Sequence, residues 1–146
     1  MAAFNHKPHD MRIHKNHRIE MREDGPFQQE GYDLMAAAFE VHNENGGGLA
    51  EEVYQESFEI ELEMRGMLFV AKQELALFYK GRELKRRYIP DLYVCEGIVV
   101  ELKSVAQLLP EHSAQLFNYM RISGKSVGYL INFAPIKRIE WRRYVL

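Results

Sequence analysis

The chain lacks most of the features that mark secreted and membrane proteins. It has one cysteine, Cys95, in 146 residues, so no disulfide can form within it. No apolar run reaches the ~18 residues of a membrane span, and the N-terminus lacks the apolar core of a secretory signal. The formal net charge of −2 excludes a globally basic surface, so any nucleic-acid contact must come from local patches. These absences predict a cytoplasmic protein that does not enter a membrane.

Length and composition favour a single folded domain that follows a polar extension. A chain of 146 residues, 47% of them hydrophobic, is of single-domain size and has ample material for a core. Residues 1–30 are polar, show no sustained period and carry histidines without a regular ligand spacing. We therefore expect a poorly ordered N-terminal tail over residues 1–30 and the folded domain over residues 31–146.

Hydrophobic periods predict the order of secondary structure in that domain. A helical stripe begins at Tyr32 and ends at the glycines at 46–48, and a second helix runs from Leu49 to Gly66. Strands are expected at residues 68–70, 75–79, 88–103 and 128–133, with a helix at 110–124 before the last of them. This order predicts an α/β fold that contains a right-handed crossover.

The most informative stretch runs from Ile89 to Lys103. Side chains alternate faces on a strand, so Glu101 and Lys103 point the same way while Leu102 points into the apolar layer. Asp91 lies on the preceding strand and can bring a second carboxylate beside Glu101. Two carboxylates beside an ammonium group suit Mg²⁺ or Mn²⁺ and a polarised water. The alternative is an edge hairpin whose charged side chains simply face solvent.

The length of the turn between these strands decides whether the two carboxylates can meet. A two-residue turn would pair Asp91 with Leu102 and turn the aspartate away from Glu101. A three-residue turn at residues 95–97, with Gly97 in the left-handed conformation, pairs Asp91 directly with Glu101. We predict the three-residue turn.

Two further motifs extend the pattern along the chain. Residues 48–54 match G-x-x-E-x-x-Y with Glu51 and Tyr54 at its acidic and aromatic positions, and residues 115–119 match Q-x-x-x-Y. Together with the P-D and E-x-K elements, and from about Tyr32 to the C-terminus, the chain resembles the GxxExxY family of the PD-(D/E)XK nuclease superfamily. The resemblance implies a restriction-endonuclease-like core, a mixed sheet flanked by helices, and metal-dependent nuclease activity. The Tyr54 hydroxyl is expected to hydrogen-bond to the site.

The resemblance also implies a metal centre and a catalytic group. Asp91, Glu101, the Leu102 carbonyl and Glu51 would hold Mg²⁺ or Mn²⁺, and Lys103 would orient the attacking water. For Glu51 the alternative is a first-turn glutamate favoured by the helix dipole. Whether Lys103 itself acts as the base is left open, because an ammonium group near a cation can hold or lose its proton.

Substrate contacts are predicted from the Q-x-x-x-Y motif and from basic patches. Gln115 and Tyr119 lie four residues apart on one helix side, and their resemblance to RecB-type exonucleases places them near the metal or the nucleic acid. Arg86, Arg87 and a C-terminal cluster that includes Arg143 suit phosphates, with a solvated strand edge as an equal alternative. The expected partner is nucleic acid, DNA in preference to RNA, and a homodimer is compatible with the sequence. The alternative function is a non-catalytic nucleic-acid-binding or protein-binding module.

Overall fold

The fold is a mixed sheet with helices on both faces. A computed structural model describes residues 10–13, 19–22 and 25–146. Within these ranges the helices are α1 (Gln28–Asn45), α2 (Glu51–Met64) and α3 (Pro110–Ser123). The strands are β1 (Asp10–Ile13), β2 (Ile19–Arg22), β3 (Phe69–Ala71), β4 (Leu75–Tyr79), β5 (Arg82–Tyr88), β6 (Leu92–Val94), β7 (Ile98–Lys103), β8 (Val127–Asn132) and β9 (Glu140–Val145). No helix in the described part of the chain is long and apolar enough to span a membrane.

The larger sheet has seven strands in the order β2-β1-β9-β8-β7-β6-β3. Strands β7 and β8 run parallel and are joined through α3, and β1 runs parallel to β9. The other neighbours are antiparallel. Among the described strands, β4 and β5 pair only with each other and form a separate two-stranded ribbon. This topology confirms the predicted α/β fold with a mixed sheet.

One face of the sheet is covered by α1 and α2. The stripe predicted for the first helix is buried, and Phe58 and Leu62 of α2 pack with it against Val100 and Leu102 of β7. Fully burying one such aliphatic or aromatic side chain contributes about 1.5–3 kcal/mol. These side chains make α1, α2 and β7 one packed unit, which holds the start of α2 over the end of the sheet that carries Asp91.

The other face is covered by α3. Leu116 and Met120 pack with Val99 and Leu130 there. The helix approaches closely because β8 has a glycine, Gly128, at which a Cβ atom would lie 2.5 Å from the Met120 sulfur. Strand β7 is therefore buried on both faces, and its alternate residues 99, 101 and 103 point towards α3.

The predicted boundary between the tail and the domain, at residue 30, lies inside helix α1, which begins at Gln28. Residues 10–13 and 19–22 form two antiparallel strands at the edge of the sheet beside β9. Backbone hydrogen bonds to an exposed edge require no hydrophobic period, so composition did not reveal these strands. Residues 1–9, 14–18 and 23–24 lie outside the described residues, and for them the tail stays a prediction.

Candidate metal and phosphodiester site

Asp91 and Glu101 meet at the open end of the hairpin formed by β6 and β7. Leu92 pairs with Val100, which leaves residues 95–97 as a three-residue turn and sets Asp91 opposite Glu101. The prediction of the three-residue turn is confirmed. Both carboxylates are nearly removed from water, with Asp91 7% and Glu101 3% exposed.

The conformation predicted for that turn is wrong. Cys95 and Glu96 adopt positive φ angles of 51° and 61°, whereas Gly97 does not. A Cβ atom at Gly97 would lie 2.0 Å from the Phe27 ring, so glycine is needed there to let the ring approach. The turn thus uses two non-glycine residues in the left-handed region, a conformation that side chains rarely adopt.

Hydrogen bonds fix the two carboxylates in place. The Asp91 backbone N–H donates to Glu101 Oε1 at 2.8 Å, and the Leu102 N–H donates to Asp91 Oδ2 at 2.7 Å. The Lys72 ammonium donates to Asp91 Oδ1, and the Gln55 amide donates to the Asp91 carbonyl at 3.2 Å. Both carboxylate oxygens of Asp91 therefore have a donor, and the one on Oδ1 is a cation.

The buried position of Glu101 beside Asp91 favours its protonated form. Burial, and after it the charge of Asp91, raises the pKa of Glu101 from 4.5 to about 9. Burial alone would lower the pKa of Lys72, but its hydrogen bond to Asp91 and the nearby carboxylates raise it. A bound cation would stabilise the ionised form of Glu101, and carboxylate oxygens are the ligands that Mg²⁺ and Mn²⁺ prefer. The donor set therefore fits such an ion.

Lys103 and the Q-x-x-x-Y pair form one hydrogen-bonded row. The Lys103 ammonium donates to Gln115 Oε1 at 2.6 Å, and the Gln115 amide donates to the Tyr119 hydroxyl at 3.2 Å. The Tyr88 ring packs edge-on against Tyr119 with centroids 5.1 Å apart. Burial, and then the charge of Glu101, raises the pKa of Tyr119. The structure thus brings Gln115 and Tyr119 beside the E-x-K strand.

Glu51 is the first residue of α2 and lies within electrostatic range of the pair. Burial, followed by the charge of Asp91, raises the pKa of Glu51. No three Asp, Glu, His or Cys side chains converge as a metal-binding group among the described residues. The Tyr54 hydroxyl donates to the Gly46 carbonyl at 2.6 Å. The hydroxyl binds the loop before α2 and holds the start of that helix, so the prediction that it bonds to the site is wrong.

Arg86 and Arg87 lie on β5, at one wall of a cavity of about 320 Å³. Gln115 and Tyr119 form part of the opposite wall, on α3. Arg87 also donates to Glu83 Oε2 at 2.8 Å. The four residues predicted to contact substrate therefore share one cavity, which adjoins Lys103 through its bond to Gln115.

The C-terminal basic cluster does not form a phosphate-binding patch as a whole. Arg143 is 1% exposed and donates to the Tyr129 hydroxyl at 2.8 Å and to the Pro26 carbonyl. Trp141 is stacked on Tyr129 with ring centroids 6.1 Å apart. Both residues belong to β9, a strand that the basic and aromatic composition concealed, and Arg143 joins the sheet to the segment before α1.

Two residues of the site were missed by the sequence analysis. Lys72 follows β3 in a left-handed conformation with φ of 53°, nineteen residues before its partner Asp91. Gln55 lies one turn after Glu51 and reaches the Asp91 carbonyl. A lysine in a surface turn gives no signal by itself. Gln55 could have been identified only from its spacing of four residues from Glu51, which puts both on one side of the helix.

Comparison with known proteins gives one family and one fold similarity. A family model described as PD-(D/E)XK nuclease superfamily matches residues 28–144. A search of curated proteins finds no significant match. The crystal structure of SSO0001 is similar over 78% of this chain and 75% of that chain, at 16% identity and a TM-score of 0.49. That structural similarity is too low to carry an argument about function.

Proposed function

Because the chain belongs to the PD-(D/E)XK nuclease superfamily, we propose that it is a metal-dependent phosphodiesterase that cleaves nucleic acid. The observation that carries the proposal is the buried Asp91–Glu101 pair, in which Asp91 precedes β6 and Glu101 lies on β7, the strand that also presents Lys103. The G-x-x-E-x-x-Y motif at residues 48–54 supports assignment to the GxxExxY family within the superfamily.

The metal ligands in this proposal are Asp91 and Glu101, together with the Leu102 carbonyl. Glu51, which lies close enough for Asp91 to raise its pKa, would complete the set directly or through a water. Bound Mg²⁺ or Mn²⁺ would polarise a water and a phosphate oxygen. Oδ1 of Asp91 can serve as a ligand only when the Lys72 ammonium leaves it.

Lys103 and Gln115 act on the reacting groups. Lys103 offers an ammonium group that orients the attacking water and offsets charge on the phosphate. Gln115 fixes that ammonium group at 2.6 Å, and its amide, with the Tyr119 hydroxyl, provides donors for phosphate oxygens. We assign Gln115 and Tyr119 to substrate positioning because amide and phenol oxygens are weaker ligands than carboxylates for a hard ion.

The substrate in this proposal is DNA in preference to RNA, in the cytoplasm. Arg86 and Arg87 support a polyanionic substrate because they line the cavity that leads to Lys103. A non-catalytic binding module is the second candidate, and one observation favours it. The Lys72 ammonium already occupies the cation's place on Asp91.

Titration calorimetry with Mg²⁺ and Mn²⁺ separates the two candidates. Wild type should bind the ion and cleave labelled DNA, and Asp91→Ala should lose both properties. Glu51→Gln should weaken binding, whereas Glu52→Gln, at the exposed neighbouring position, serves as its matched control. Metal-independent binding of DNA without cleavage would support the binding module and contradict the proposed activity.

A further inference from the structure

The β4–β5 ribbon projects beyond the body of the domain. Its base is anchored where Leu75 and Tyr88 pack against the cluster beneath α3. Its tip is exposed, with Phe78 and Tyr79 each 63% accessible to solvent. From Tyr88 to Arg82 an extended strand spans roughly 20 Å at 3.3 Å per residue. The ribbon therefore presents a long surface that the fold itself does not cover.

The two faces of the ribbon differ. Leu75 pairs with Tyr88 at the base and Tyr79 pairs with Arg82 at the tip, and paired side chains share a face. Leu77 lies between them on that face and is half-buried, whereas Ala76 and Phe78 on the other face are exposed. We call the face of Tyr88, Leu77 and Tyr79 the inner face, because its base packs on α3.

Basic and aromatic groups follow the inner face outward from the site. Arg82 shares the inner face with Tyr79, its partner at the tip, and Arg86, on the other side of a register shift in the ribbon, lines the 320 Å³ cavity that Gln115 also lines. At the tip, the Lys80 ammonium lies 5.5 Å from the centre of the Tyr79 ring. Residues 75–88 contain five basic side chains and one acidic side chain in a protein whose net charge is −2. The ribbon thus concentrates positive charge that the whole chain does not have.

We propose that the inner face of the ribbon, from Arg86 through Arg82 to Tyr79, is a binding track for a single strand of nucleic acid that leads into the cavity beside Gln115. This inference rests on the proposed nuclease function and specifies its substrate as unpaired nucleotides. Arginine side chains neutralise phosphates along a strand, and an exposed aromatic ring stacks on any unpaired base. A cavity of about 320 Å³ is at the small end for ligand sites, which suits one unpaired nucleotide better than a base pair.

The chain offers matched controls for this track. Tyr79 and Phe78 are adjacent and equally exposed, but they lie on opposite faces. Arg82 and Lys85 are both exposed cations of β5, but Lys85 lies within the register shift, outside the pairs that define the inner face. Non-specific attraction between the ribbon and a polyanion would make the two members of each pair equivalent. A track on the inner face would make only the inner-face member of each pair important for binding.

Fluorescence anisotropy measures the affinity of each variant for a labelled DNA single strand of about 20 nucleotides, which is longer than most single-strand sites. The measurement is made in EDTA, so that metal-dependent cleavage cannot occur. Tyr79→Ala should weaken binding by about five- to a hundredfold, as expected for one lost stacking contact. Arg82→Gln should reduce the slope of log affinity against log salt by about 0.7, the value for one phosphate on a single strand. Phe78→Ala and Lys85→Gln should each stay within about twofold of wild type, because neither removes a track contact.

The outcomes separate this inference from the nuclease proposal. Equal losses in Tyr79→Ala and Phe78→Ala, tighter binding of duplex than of single strand, or no binding by wild type would overturn the track. If the inner-face variants bind weakly but wild type does not cleave in Mg²⁺ or Mn²⁺, the track holds and the nuclease proposal fails. If all variants bind and cleave like wild type, the nuclease proposal stands, the track is refuted, and the ribbon is left as a surface for a protein partner.

Discussion

Glu101→Gln should stabilise the metal-free protein at neutral pH and abolish its metal binding. Folding at pH 7 requires Glu101 to take up a proton, because its pKa is 4.5 in the unfolded chain and about 9 in the folded one. Between pH 4.5 and 7 this uptake costs about 3 kcal/mol, from 1.36 kcal/mol per pH unit. Glutamine needs no proton, and its amide oxygen can still accept the Asp91 N–H.

The sign of the pH dependence follows from the raised pKa. Below pH 4.5 Glu101 is protonated in both states, so variant and wild type should be equally stable. As pH rises towards 9 the unfolded chain is ionised while the fold still holds the proton, so wild-type stability falls relative to the variant. The advantage of the variant should therefore be below about 1 kcal/mol at pH 5 and should approach about 3 kcal/mol at pH 7.

Urea denaturation in EDTA, followed by circular dichroism at several pH values, measures this difference. Glu63→Gln, at an exposed position of α2, is the matched control and should show no such trend. Calorimetry should show that the Glu101 variant no longer binds Mn²⁺, because a charged ligand has been replaced by an amide. A variant that is less stable than wild type at pH 7, or an advantage that does not grow with pH, would refute the reasoning.

Three further predictions concern neighbours of the pair. Lys72→Met should bind Mn²⁺ about two- to fivefold more tightly in calorimetry, because the substitution removes a half-exposed cation that competes for Asp91. Weaker binding would contradict this competition. Gln115→Ala should leave metal affinity within a few-fold of wild type but slow cleavage about ten- to a hundredfold in single-turnover assays, and loss of metal binding would place it among the ligands. Gly97→Ala should lower the free energy of unfolding, measured in urea, by about 1–3 kcal/mol, because the added Cβ would overlap the Phe27 ring. An unchanged stability would mean that the ring does not pack there.

The sequence predicted the carboxylate pair because the pair depends on local rules. Strand alternation and the length of one turn were enough to put Asp91 opposite Glu101, and both are readable over a dozen residues. The same local rules assigned the left-handed conformation to Gly97. That assignment failed because the need for glycine there comes from Phe27, which is seventy residues away along the chain.

Other parts could not be predicted because they depend on tertiary contacts. Lys72 reaches Asp91 only after β3 pairs with β6, and a single lysine in a turn carries no pattern. The basic and aromatic residues of β9 read as a surface patch, yet Arg143 is buried because the Tyr129 hydroxyl and the backbone before α1 accept its hydrogen bonds. Burial of a charge with its partners cannot be read from composition.

The position of Lys72 connects the proposed metal ligands to the ribbon. Its N–H donates to the Asp91 carbonyl at 3.1 Å, its ammonium donates to Asp91 Oδ1, and Leu75, where the ribbon begins, is only three residues further along the chain. An ion that takes Oδ1 removes one of these two tethers at the root of the ribbon. Thermodynamic reciprocity then requires that metal and nucleic-acid strand change each other's affinity by the same factor. Ion binding would thus change the affinity of the ribbon for nucleic acid, although the tip of the ribbon lies far from the ion.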